Sequence, residues 1–402
     1  MSMRFGSRRQ GRLAGAGVLA AATAGAALVA APTAHAASVH VVTPGQSIQQ
    51  AVDASRPGDI VQIMPGTYQE SVLVNVPRLT IQGAGAQRVI LKPPAAATAQ
   101  GGAPKASTPD TPSTAGAAST PDTPSTADNA ADVTPATTAN PCFTTGTGIC
   151  VAGTEGHRLK GVRIQGLTVT GFATYGVAAT ETDHLVVAGV NASGNKLYGI
   201  GEQKSVRAVF VRNHAADNGE AGIFLANTTQ EEAGALDLDG ARVSGNVLTG
   251  NTMGVVLRRV RDMDVLRNSV TGNCAGMFVI GDENTPRGGD LTIRDNEVSA
   301  NTKYCAPNSH LPFVQGAGIV LTGVENTVVE RNRIEGNVGT SQMSGGVVLF
   351  KSFVGVPNTG NTVRDNMLSG NAPADLADRD TAGKDNTFTG NSCSISQPAG
   401  RC

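Results

Sequence analysis

The chain of 402 residues has no tryptophan, four tyrosines and ten phenylalanines, so aromatic side chains make up only 3 % of it. Tryptophan is the usual platform for stacking a sugar ring, and its absence excludes a site of that kind. Beyond residue 31 no apolar run is long enough to cross a bilayer. No Cys-x-x-Cys occurs and the six histidines are scattered, which argues against a structural zinc site. There is also no basic stripe with interleaved aromatics, the footprint of a nucleic-acid surface.

What is present begins with an export signal. Arg4, Arg8, Arg9 and Arg12 form a positive stretch, an Ala/Gly/Leu/Val run follows from Leu13 to Ala31, and Ala34-His35-Ala36 is a small-x-small cleavage site. The mature chain is expected to start at Ala37 and to be secreted. Ser7-Arg8-Arg9 is compatible with twin-arginine export, but Gly11 stands where an apolar residue usually follows. General secretion is the simpler route. Removing four arginines and no acids leaves 27 basic residues against 32 acidic, a balance of −5.

All six cysteines fall in the mature part, an even number in an oxidising compartment. Six cysteines permit fifteen pairings. Repeat spacing puts Cys274 and Cys305 on neighbouring coils, while Cys142/Cys150 and Cys393/Cys402 would close short local loops. Free thiols or a metal site are the competing reading.

The most regular feature is a phrase of asparagine, four residues and asparagine, recurring seven times. The pairs are Asn213/Asn218, Asn246/Asn251, Asn268/Asn273, Asn296/Asn301, Asn332/Asn337, Asn366/Asn371 and Asn386/Asn391. An apolar residue precedes each first Asn by three positions, except in the last copy, which has Gly383. A glycine then opens an apolar-x-apolar strand, as in Gly222-Ile223-Phe224-Leu225. Such a period, about 20 to 36 residues, marks a stacked repeat architecture. The asparagines are expected at turns, in left-handed backbone, with each amide bonded to its counterpart one coil away.

Ahead of the repeats, residues 37–92 read as a cap and first strands. Ser47 is placed to cap a short helix with Gln50 reaching back. Residues 93–141 are an insertion of Ala, Thr, Pro, Ser, Gly and Asp, with a ten-residue duplication (106–115 and 118–127). It lacks the apolar side chains needed to offset ordering entropy and reads as disordered. Residues 142–391 are the coils, and 392–402 a cysteine-bracketed tail that covers the last of them.

Three phrases make the resemblance specific: Gly45-Gln46-Ser47-Ile48-Gln49-Gln50-Ala51-Val52, Pro57-Gly58-Asp59-Ile60-Val61 and Pro65-Gly66-Thr67-Tyr68-Gln69-Glu70. They resemble the opening of pectin-lyase-like proteins, and the Asn/Gly phrase resembles the parallel β-helix repeat of that superfamily. The resemblance implies an all-β fold, a right-handed parallel β-helix with a short N-terminal capping helix. It also implies chemistry on an extracellular polysaccharide, by a lyase or an epimerase, and it allows a Ca2+ ion without assigning ligands. This scaffold hosts many activities, so the fold does not choose among them.

Enzymes of this scaffold work along the leading sheet, so the outward positions of the Gly-led strands matter most. The first outward row is Ala178, Gly201, Phe224, Val256, Phe278, Val320 and Val348; the second is Thr180, Gln203, Ala226, Arg258, Ile280, Thr322 and Phe350. Arg258 is the one ionisable residue in these rows, and general acid–base catalysis needs positioned titratable groups. Tyr198-Gly199-Ile200 resembles the start of the Tyr-Gly-(Ile/Phe)-Asp-Pro-His segment of alginate C5-epimerases, but Gly201, Glu202 and Gln203 replace its last three residues. Asp183-His184 resembles the Asp-His of pectate lyases over two residues only. The best catalytic cluster is Arg258, Arg259, Arg261, Asp282 and Glu283, an arginine base with a charge-neutralising partner. Repeat spacing sets Arg259 near Asp282 and Arg261 near Glu283. Phe224, Phe278 and Phe350 are candidate ligand-binding rings, unless the protein's own loops cover them. Two classes of function therefore stay open. One is a polysaccharide lyase or epimerase; the other is a monomeric, non-catalytic binder or scaffold for extracellular glycan.

Overall fold

Every coil of this chain pays out three short strands, and stacking the coils gives three parallel sheets. The structure is a computed structural model describing residues 36–94, 145–229, 232–308 and 311–402. The export signal, nearly all of the 93–141 insertion and Cys142 lie outside them. Residues Ala37–Cys402 form one compact unit. Among the described residues the sheets hold 12, 10 and 11 strands. The first runs from Val39–Val42 to Thr387–Thr389 and the second from Gly66–Gln69 to Met367–Ser369. The leading sheet runs from Val72–Val74 to Ser396–Gln397.

Register in the leading sheet follows the Gly-led strands. Val177, Ile200, Ile223, Val255, Met277, Ile319 and Val347 pair in series and form one column of the core, each at most 1 % exposed. The stack also continues across the insertion, since Val72 pairs with Ile149, Thr80 with Arg163 and Ile90 with Thr168. The inserted segment therefore leaves the sheet register on either side intact.

The asparagines form two buried ladders, at the corners before and after the second sheet. In each rung the side-chain oxygen accepts from the backbone N–H and the amide of the preceding coil's Asn. Asn273 Oδ1, for example, accepts from Asn251 N at 2.9 Å and Asn251 Nδ2 at 3.1 Å. Its own Nδ2 donates to Leu248 O and to Asn301 Oδ1. The left-handed backbone, however, sits on the residue before each Asn rather than on the Asn itself, as at Arg212 (φ 53°), Gly272 (φ 69°) and Ala300 (φ 49°). The rung's hydrogen bonds offset the roughly 1 kcal/mol or more that a non-glycine residue loses there.

The last copy is also out of the expected register. Asn391, not Asn386, continues the ladder from Asn332 and Asn366, while Asn386 pairs with Asn361 one corner earlier. Phe388 accordingly pairs with Val363, which removes the apparent exception at Gly383. The tail likewise does more than cover: its Ser396–Gln397 pairs with Leu376–Asp378 and adds the last strand of the leading sheet.

At the other end, the helix Ile48–Ala54 buries Ile48 and Val52 over the first coil. Ser47 caps it by accepting from Gln50 N. The reaching-back residue is Glu70, not Gln50: its carboxylate accepts from Ile48 N at 2.7 Å and Gln49 N at 3.1 Å. A carboxylate at a helix N-terminus satisfies orphan donors and complements the dipole.

Candidate functional site

The outer face of the leading sheet divides into three stretches. Its middle is sealed. Phe224, Phe278 and Phe350 are 3–4 % exposed and belong to a second apolar cluster, outside the coil interior, with Val256, Val320 and Val348. The 302–315 and 338–344 segments supply the cover through Leu311, Val314 and Met343, and the gap beneath them admits no water. The Cys274–Cys305 disulfide fastens this cover to the sheet. The protein's own loops thus fold across the phenylalanines, because a bare apolar stripe gains more by burial than by exposure. Phe278 lies beneath this cover, Phe224 beneath Tyr198, and Phe350, though only 3 % exposed, borders the cleft at the C-terminal end.

The expected catalytic cluster is split by the turn that follows the strand. Arg258 lies on the outer face of the sheet and makes no ion pair among the described residues. Arg259 is 5 % exposed and is held by Asp282 and by Glu232 at 2.5 Å. Asn284 completes this network, bonding to both carboxylates. Arg261 pairs with Asp290 and, at 3.8 Å, with Glu325, not with Glu283. Glu283 is exposed and joins neither group. Removing one partner from so buried a pair would strand a charge, so Arg259 and Asp282 read as structural. Asp183 and His184 do meet, Nδ1 to Oδ1 at 2.8 Å, but Arg207 holds the same carboxylate at 2.6 Å. That guanidinium, with His184 adding to it, keeps Asp183 below the usual carboxylate range.

Toward the N-terminal end no segment among the described residues crosses the sheet, and the structure brings two tyrosines to its face. Tyr175 stacks on Tyr198 with ring centroids 4.8 Å apart, and Tyr198 stacks on Phe224 at 4.7 Å. Both tyrosines are half-buried. Simple alternation from Ile200 would turn Tyr198 inward. Gly199 breaks the alternation at the corner: a Cβ there would also point inward, 2.7 Å from Gly222 O and 2.9 Å from Asn218 Nδ2. Two successive inward positions reverse the parity and bring Tyr198 out. Gly201 makes room for the stack, since a Cβ on it would lie 2.3 Å from Tyr175 Cε1.

Around the rings are Gln203, which hydrogen-bonds Tyr175 and accepts from Thr229 Oγ1 at 3.2 Å, together with Glu220 and Arg258. Burial raises both phenols above their ordinary value; for Tyr198 the neighbouring Tyr175 and Glu220 add to it and Arg258 opposes it. Neither ring is poised as a tyrosinate base. Beneath them Glu202 points into the core, and burial pushes its carboxyl up to about 8.

At the C-terminal end a cleft of about 570 Å³ opens over the last strands of the same sheet. Arg379 continues the outward row one step past Phe350, its N–H bonding Leu349 O. The repeat phrase gave no signal for it, because its coil lacks the Gly-led strand.

Two disulfides are seen, Cys274–Cys305 and Cys393–Cys402. Cys150 is disulfide-bonded too, and Cys142 lies outside the described residues. No three His, Cys, Asp or Glu side chains converge on a metal site among the described residues. No helix is long and apolar enough to cross a membrane among the described residues.

The family model described as right handed beta helix region matches residues 136–257 and 236–400. The chain belongs to the right-handed β-helix family. Among solved structures it is similar to the A-modules of two mannuronan C-5 epimerases of Azotobacter vinelandii. AlgE6 aligns with a TM-score of 0.54 at 15 % identity, over 87 % of this chain and 89 % of that one. AlgE4 gives 0.51 at 14 %, over 87 % and 90 %. The Dettilon tailspike protein (gp208) gives 0.50 at 12 %, over 89 % of this chain and 68 % of the other. At such identities these likenesses show the fold. No curated protein matches the chain.

Proposed function

We propose that this is a secreted β-helix protein that binds an extracellular polysaccharide at the open N-terminal end of its leading sheet, without cutting or epimerising it. One observation carries the reading: the half-buried Tyr175–Tyr198 stack on an outer face whose two outward rows hold a single ionisable residue, Arg258. Where the epimerase segment has Asp and His, this chain presents Gly201 and Gln203, and the raised phenols offer no base. An aromatic pair beside an amide, a hydroxyl and Arg258 suits sugar CH faces and hydroxyls. The epimerases among the structural neighbours support the polysaccharide class.

Binding of the mature protein to a panel of immobilised polysaccharides tests this. Tyr198→Ala should weaken the best ligand by about ten-fold, on the order of the 1 kcal/mol or more that an aromatic contact contributes. Unchanged binding in both Tyr198→Ala and Tyr175→Ala would sink the assignment. A second reading, a lyase, is favoured only by Arg258, which faces Tyr198 without a carboxylate of its own. Unsaturated-uronate absorbance that appears with the wild type and vanishes in Arg258→Ala would establish it.

A further inference from the structure

The cleft at the C-terminal end of the leading sheet has no part in the tyrosine site, and its chemistry differs. We propose that it is a second binding site, one that takes the carboxylate-bearing terminal sugar of an acidic glycan, with Arg379 as the reader of the carboxylate.

Arg379 is oriented but not neutralised. Its Nη1 donates to Gln342 O at 2.7 Å and Ser344 O at 2.9 Å, and its Nη2 to Gln397 Oε1 at 3.1 Å. All three acceptors are uncharged. Of the five N–H donors of a guanidinium, the Nε–H and one on Nη2 have no acceptor among the described residues. Two donors at that spacing match the two oxygens of a planar carboxylate. Nearby acids are occupied elsewhere: Asp378 pairs with Arg401 at 3.1 Å, and Asp380 accepts from Asn358 N and Nδ2. Burial already pulls the guanidinium below its ordinary value, a cost that a bound anion would offset.

Lys351 stands on the same cleft, exposed and with no ion pair among the described residues. It supplies a second positive charge. Thr381 and Gln397 line the cleft with hydroxyl and amide groups suited to a sugar. Phe353, 58 % exposed and tilted against Phe350 at 5.6 Å, gives an aromatic edge beside it. The volume is within the range of small-ligand sites.

Recognition of a chain end follows from the sealed middle. The cover formed by Leu311, Val314 and Met343 blocks the sheet on the N-terminal side of the cleft. A glycan therefore cannot run along the sheet through both ends, and a chain laid along the sheet in this cleft ends beside Arg379.

Calorimetry on the mature full chain with trigalacturonate, cellotriose and polygalacturonate tests the site. Trigalacturonate should bind and weaken with salt, with cellotriose weaker by about ten- to a hundred-fold, the range of a charge-assisted pair. Arg379→Gln should remove that preference. Lys351→Ala, a surface change that leaves the fold alone, should lower trigalacturonate affinity several-fold in the Tyr198→Ala background, where only the C-terminal cleft is left to bind it. In the Tyr198→Ala background polygalacturonate should saturate in proportion to its chain ends. Equal affinity for cellotriose, an indifferent Lys351→Ala, or saturation that scales with polymer length would each overturn the proposal. Absence of trigalacturonate binding would overturn it as well. Because Tyr198→Ala removes only the other site, failure at one end is distinguishable from failure at the other.

Discussion

Glu202 occupies a core position that Ala179, Leu225, Leu257, Val279, Leu321 and Leu349 fill on other coils. It is 2 % exposed, and neither carboxyl oxygen has a hydrogen-bond partner among the described residues. Burial disfavours the charged form, so the folded protein keeps the proton to about 8, against an ordinary value of 4.5. Between those values the folded state binds more protons than the unfolded chain, and stability falls as pH rises through the window. The loss integrates to on the order of 4 kcal/mol. Urea unfolding at about pH 5 and about pH 8 should show it, and Glu202→Gln should flatten the slope. An identical slope in that variant would mean that another group carries it. Counting alternation from Ile200 already turns Glu202 inward, so this residue was legible in the sequence. Tyr198 was not, because Gly199 reverses the parity that such counting relies on.

Among the elements, the 302–315 segment decides most about function. It turns an apolar stripe of the sheet from a surface into a second core, with Cys274–Cys305 holding it down. Cys305→Ser should cost about 2–4 kcal/mol, the usual effect of losing a disulfide. It should also raise the binding of a hydrophobic dye as Phe278 and Val320 are uncovered. A stability loss with no gain in dye binding would show that the cover stays seated by packing alone. The segment's sequence announces an insertion of some kind. Whether it stands beside the sheet or lies across it depends on which apolar partners it meets, and those come from several coils.

For the whole molecule, stability is close to one-dimensional: each coil touches its neighbours, and the ladders transmit register from one to the next. A central rung therefore has two neighbours and a terminal rung one. Asn273→Ala should cost about 2–4 kcal/mol, since it leaves Asn251 N–H and Asn251 Nδ2 without their shared acceptor and the Leu248 carbonyl without its donor. Asn391→Ala, at the half-buried end of its ladder, should cost less, because it has no onward rung such as Asn273 makes to Asn301. Equal costs in chemical denaturation would mean that the stack unfolds without regard to position.

The sequence by itself determined the β-helix, the six central rungs and the inward column of the leading sheet. Those depend on short-range periodicity that repeats on every coil, and local sterics and hydrogen bonding enforce them. Tertiary structure alone decided where the outer face is open, because that depends on side chains meeting across coils and loops. The same contacts committed Arg259, Asp282 and Arg261 to ion pairs in the turn. They also carried the sheet past its last glycine-led strand, where Arg379 faces the cleft.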